Sequence, residues 1–169
     1  PRRAADSLRS PLTPDVRHHT ASHPVRSMHH DDIALMEHLA AQSALSLQAF
    51  CEIARDVLAL PAFEYDAENE TEWAVAVKEG VEYNISRPYA AGALQRWDAT
   101  VPKHSNFGII LIFSKRAAVP SLNPAVLVTN VGQALATALG VPIAYHRTWL
   151  SVGSSVPRQT TFLPQSSDA

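Results

Sequence analysis

The chain has 169 residues, 46% of them hydrophobic, a formal charge of −2 and a single cysteine. That is enough apolar material for one core and too little length for two full domains, which excludes wholesale disorder. No apolar run nears the roughly 18 residues of a membrane span, no apolar stretch follows the N-terminal arginines as in a secretory signal, and Cys51 alone forms no internal disulfide, so a reducing cytoplasm and no membrane partner are expected.

Residues 1–27 hold Pro11, Pro14, Pro24 and five arginines with few apolar residues, so this arm is expected to be disordered. It reads either as a flexible arm or as upstream read-through, with Met28 or Met36 opening the folded unit. Its five arginines against Asp6 and Asp15 make it +3, so the region from Met28 onward carries −5 when the whole chain carries −2. Nucleic acid is therefore not an expected partner, because phosphate contacts need clustered Lys and Arg.

Residues 28–150 are expected to form a single α+β domain. Asp32 caps a first helical pattern through Ala44, in which Ile33, Met36 and Leu39 recur at helical spacing. Ser46 caps a second, with Leu47, Phe50, Cys51, Ala54, Val57 and Leu58 on one face and Pro61 ending it. Ala62 to Asp66 reads as a short strand and Glu68 to Glu72 as a polar turn. Trp73 to Lys78 and Val81 to Ser86 alternate with period two around Glu79-Gly80, a hairpin. Pro88 to Asn106 carries no regular pattern, the mark of a loop that is functional or partly mobile.

Phe107 to Phe113 is a continuous apolar strand, expected at the sheet centre. Asn123-Pro124 starts a helix with a stripe from Leu127 to Leu139, stopped by Gly140 and Pro142, with Gly132 permitting close approach to the sheet. Ile143 to Leu150 reads as the last strand, parallel to the one before the helix. Residues 151–169 are Ser- and Pro-rich and expected to be disordered, although Phe162 and Leu163 can dock. The expected fold is a mainly antiparallel sheet of four to five strands covered by two or three helices, in the order α-β-β-β-β-α-β.

Seven of the sixteen carboxylates, Glu64, Asp66, Glu68, Glu70, Glu72, Glu79 and Glu82, fall within nineteen residues against Lys78 alone. Such a strip is a solvated face, a surface that steers a basic partner, or a hard-cation site, although the glycine and ligand order of a calcium loop are missing. The loop that follows supplies Arg87, Tyr89, Arg96 and Trp97, residue types that dominate protein recognition and also serve as structural clamps. An alternative chemistry pairs His104 with Asp98 and either Ser105 or Ser86 as base, orienter and nucleophile. No Gly-x-Ser-x-Gly elbow or phosphate-cradling glycine loop is present, and Cys51 reads as core. His18, His19, His23, His29 and His30 lie in or beside the arm, His38 lacks metal-site spacing, and His146 reads as a half-buried sheet residue, so neither a metal nor a cofactor is expected.

Leu60 to Trp73, with Asn84-Ile-Ser-Arg-Pro-Tyr89 and Trp97-Asp98, resembles small bacterial proteins of the kind that act as immunity partners of polymorphic toxins. That resemblance spans about Leu60 to Phe113 and implies an intracellular, non-enzymatic domain that occupies a basic toxin through the acidic strip and the Arg/Trp/Tyr loop. The leading expectation is a protein-binding domain; a small hydrolase or transferase using His104 and Asp98 is the alternative.

Overall fold

The computed structural model describes residues 32–115, 123–151 and 154–166. The arm at 1–27, with its histidines, lies outside the described residues. Ten elements follow in chain order: β1 (Ile33–Ala41), α1 (Leu47–Leu58), β2 (Glu64–Glu68), β3 (Thr71–Lys78), β4 (Val81–Pro88), α2 (Ala93–Trp97), β5 (Phe107–Ser114), α3 (Pro124–Leu139), β6 (Ile143–Ser151) and β7 (Ser154–Phe162). The fold is α+β, and the seven strands among the described residues form one antiparallel sheet in the order β2-β3-β4-β5-β1-β6-β7.

The two long helices form for the reasons legible in the residues. Ser46 accepts the Ala49 N–H, and the apolar face of α1 buries Leu47, Phe50, Cys51 and Ala54. Val57, expected on that face, is exposed. Asn123 accepts from Ala125 and Val126, Pro124 opens α3, and Gly140 closes it at φ 66°. Both helices pack on one face of the sheet over Leu39, Ala41, Tyr83, Ile85, Phe107, Ile109, Leu111 and Ile143. Phe50 stacks on Phe107 with ring centroids 4.3 Å apart. The hairpin at Glu79-Gly80 has both residues at positive φ, which is the twist that matches a two-residue connection.

Four expectations are corrected. The stretch from Asp32 to Ala44 is not a helix: Ile33–Ala41 is the strand β1, between β5 and β6. Its middle is covered on both faces and carries Glu37 and His38, both buried, so neither an alternating nor a continuous apolar pattern survives in the residues. Secondly, β5 and β6 do run in the same direction, but β1 lies between them, antiparallel to both. The irregular stretch after Pro88 contains the short helix α2.

Finally, the tail beyond Ser151 adds β7, a polar edge strand with Pro157 that only its pairing to β6 reveals. With it, the four to five expected strands become seven. The other edge, β2, is exposed along its whole length and charged at alternate positions, a pattern that resists edge-to-edge pairing. No described helix is long and apolar enough to cross a membrane.

The last strand is latched by its final residue. Phe162 is buried against Gly132 of α3, where a Cβ would overlap the phenyl ring. Gly132→Ala is therefore expected to destabilise the fold by about 1–3 kcal/mol through overpacking. In a Phe162→Ala background the same change should stabilise by up to about 1 kcal/mol, the helix preference of Ala over Gly. Urea unfolding of the four proteins in this cycle reads the reversal of sign.

Candidate functional site

The sheet face opposite α1 and α3 carries the site. One extra residue in β6 creates it: Tyr145 pairs with Leu39 and Arg147 with His38, leaving His146 as a bulge. A bulge resets the alternation of side chains. Tyr145 and Thr148 therefore stay on the helix side, where both hydroxyls donate to the buried Glu37 carboxylate, Tyr145 at 2.6 Å. His146 and Arg147, though consecutive, both line a cavity on the opposite face.

That cavity has a volume of about 180 Å³ and lies between the α2 segment and the sheet. Leu94, Trp97, Asp98 and Val101 bound it from above, and His38, Ser86, Gly108, Ile110, His146 and Arg147 from below. Gly108 keeps the space open, since a Cβ there would lie 2.9 Å from Ser86 Oγ and 3.5 Å from Leu94 Cδ2.

Asp98, at the C-terminal end of α2, ties the loop to the sheet. Arg147 Nη1 lies 3.0 Å from its Oδ2. The Thr100 N–H and hydroxyl both donate to Oδ1, at 2.9 and 2.7 Å. His146 Nδ1 lies 2.9 Å from the same Thr100 hydroxyl oxygen. Arg147 Nη2 donates to His38 Nδ1 at 3.3 Å, and its guanidinium carbon sits 4.7 Å above the Trp149 ring. His38 packs between His146 and Trp149, with centroids 6.0 Å from each. Four polar atoms of this group, His38 Nε2, Asp98 Oδ2, Arg147 Nε and Trp149 Nε1, are buried without a hydrogen-bond partner, although Asp98 Oδ2 has its ion pair with Arg147.

Burial, reinforced by the charge of Arg147 and by the neighbouring His146, lowers His38 to about 3, against a smaller opposing pull from Asp98. Burial likewise lowers His146 to about 4, with Asp98 opposing and Arg147 assisting. Both imidazoles are thus neutral near pH 7. For Asp98, burial acts upward but is outweighed by the two Thr100 hydrogen bonds, Arg147 and His146, so its carboxyl lies below the ordinary range. The arrangement offers a guanidinium, two neutral imidazoles and a carboxylate around a small, partly apolar space. Among the described residues no group of three or more His, Cys, Asp or Glu is placed to hold a metal ion.

Of the residues singled out from the sequence, Asp98 and Ser86 border the cavity, as does Trp97, which is 51% exposed. His104 is exposed in a turn at φ 71°, and among the described residues no hydrogen bond or ion pair joins it to Asp98. His146 stands beside Asp98 instead. Ser105 is buried away from the cavity lining, its carbonyl accepting from Gln95. Glu64, Asp66 and Glu68 alternate along the exposed β2, and Glu68 and Glu70 share an open recess with Trp97. Glu72 is taken up by Arg87 at 3.2 Å, and Arg87 also lies over Phe107, a structural clamp. Tyr89 and Arg96 are exposed, the latter donating to the Ala91 carbonyl. Burial pushes the Cys51 thiol up to about 12, which suits a core residue and not a nucleophile.

His38, His146, Arg147 and Trp149 were passed over because each is a lone polar or aromatic residue on a strand. Only the bulge and the β1–β6 register gather them.

The neutral histidines fix the sign of an acid effect. Their folded values lie below the ordinary 6.5, so on acidification the unfolded chain takes up protons that the folded chain refuses. Stability is fully present above about pH 6.5 and falls as the pH drops toward 4, by at most about 1.4 kcal/mol per pH unit for each histidine. Urea midpoints measured between pH 7 and pH 4.5 should fall steadily. His38→Asn, which keeps an acceptor for Arg147, should reduce the slope between pH 6.5 and 5; a flat wild-type profile there contradicts the neutral assignment.

No family model, curated protein or solved structure matches the chain.

Proposed function

We propose that the chain binds a small polar molecule of about one ring in the cavity between α2 and the sheet. The observation that carries this is the cavity lining itself, in which the β1–β6 register gathers His38, His146 and Arg147 beneath Asp98 and beside Leu94, Val101 and Ile110. The volume fits: an engineered cavity of about 150 Å³ takes up benzene, and this one is about 180 Å³. The border is partly apolar, from Leu94, Val101 and Ile110, with a few polar groups, the make-up of a ligand pocket.

The test is a titration of single-ring compounds followed by amide and imidazole shifts in NMR. Binders should perturb His38, His146 and Arg147 together. Leu94→Trp, which fills the space from the α2 side, should abolish binding. Arg147→Lys keeps the charge but loses the planar fork that joins Asp98 to His38 and shapes the cavity floor, and should weaken binding about 10-fold or more. Binding that is indifferent to Leu94→Trp contradicts the proposal.

A second reading, protein recognition of the immunity type, is favoured by one specific feature: the exposed Trp97 shares its recess with Glu68 and Glu70, beside the acidic edge β2. An exposed indole flanked by carboxylates suits a Lys- or Arg-bearing partner. The double change Glu68→Lys and Glu70→Lys, in the recess and away from the cavity lining, should then weaken capture of that partner at least 10-fold while leaving fragment binding by the Leu94 cavity in place.

A further inference from the structure

A second pocket lies on the helix side of the sheet, away from α2. It has a volume of about 260 Å³ and is bounded by the end of α1, the middle of α3 and the β3–β4 hairpin. Its walls are apolar, with Leu58 from α1, Val81 from β4, and Leu127 and Val131 from α3. Lys78 and Glu79 bring one charge of each sign to the hairpin side, and the Lys78 ammonium already donates to the Leu58 carbonyl at 3.1 Å. No net charge is left there to select an ion. Tyr83 is the polar group set among these walls, in the core beneath the helices and only 6% exposed. Among the described residues its hydroxyl makes no hydrogen bond, yet it is not sealed from solvent, so the little exposure of this side chain includes its polar tip. Burial, and then the charge of Glu79, hold the phenol above its ordinary value, so it keeps its proton and offers a donor. Glu79 itself borders the pocket, which puts the phenol oxygen on that side.

We propose that this pocket is a second ligand site, for a neutral molecule with one apolar ring and a carbonyl oxygen that accepts from the Tyr83 hydroxyl. It is independent of the cavity beneath α2, with which it shares no lining residue. A tyrosine buried to this degree usually finds a partner for its hydroxyl, and an acceptor oxygen in the pocket supplies one. The space suits a ring with a short substituent, since an engineered cavity of about 150 Å³ takes up benzene. A carboxylate of the same size would meet the charge of Glu79 while Lys78 is engaged by Leu58. A pure hydrocarbon would leave the hydroxyl as it was.

The experiment uses the full chain with 13C-labelled leucine and valine methyls and three probes of similar shape: acetophenone, isopropylbenzene and benzoate. Acetophenone should shift the methyls of Leu58, Val81, Leu127 and Val131. It should do so in the wild type and in Leu94→Trp alike, because that change fills only the cavity beneath α2. Benzoate should bind at least about 10-fold more weakly than acetophenone. Tyr83→Phe keeps the ring and removes a hydroxyl that bonds nothing in the protein. It should weaken acetophenone about 3- to 10-fold, the worth of one neutral hydrogen bond, and leave isopropylbenzene unchanged. Shifts confined to Leu94, benzoate binding in preference to acetophenone, or a Tyr83→Phe variant that takes acetophenone as well as the wild type does, each overturns the proposal. Silence of these four methyl groups toward all three probes overturns it too, whatever happens in the cavity beneath α2.

Discussion

The pairing of His38 with Arg147 across β1 and β6, one residue out of step, is the constraint on which the rest depends. Had β6 kept strict alternation, His146 and Arg147 would point to opposite faces and Thr148 would lie with His146. The extra residue places two polar side chains together over one face and hands Thr148 to the other, where Glu37 receives it. The sheet centre thus holds two polar groups back to back. On the helix side, the Glu37 carboxylate is satisfied by two hydroxyls, and Arg158 of β7 donates to Thr148 at 3.1 Å. On the other side, the group is only partly satisfied. That asymmetry separates a satisfied network from one that keeps unpartnered polar atoms in the sheet.

Asp98 links the two layers of the site. Its carboxylate joins the end of α2 to Arg147 of β6, and its Thr100 contacts fix the loop that follows. An ion pair at this depth contributes little net stability, because desolvation offsets the attraction, while losing one partner leaves the other stranded. Its value here is positional: it sets α2 over the sheet at the height that leaves a cavity, with Gly108 below and Leu94 above.

Much of the framework was readable from local residue chemistry. Ser46, Asn123-Pro124 and Gly140 marked the ends of both long helices, Glu79-Gly80 marked the hairpin, and Phe107 to Phe113 marked a buried strand, because each signal is local. β1 was misread because its burial on two faces combined with Glu37 and His38 to produce spacing that mimics a helix. β7 was missed because an edge strand of Ser, Thr, Gln and Arg owes its conformation to its neighbour. The site suffered the same way: Asp98 and Trp97 stood out on the loop, but their partners His38, His146 and Arg147 lie on other strands and meet through a register that no local pattern encodes.

The latch between Phe162 and Gly132 reaches further than the strand it ends. β7 pairs with β6 on both sides of the bulge, shifting its own register between Tyr145 and Arg147. Loss of β7 would turn β6 from an inner strand into a border, free its outward backbone groups to solvent, and remove Arg158 from Thr148. The β6 residues that line the cavity would then sit on the rim of the molecule, so the polar C-terminal segment walls off a cavity to which it contributes no lining side chain.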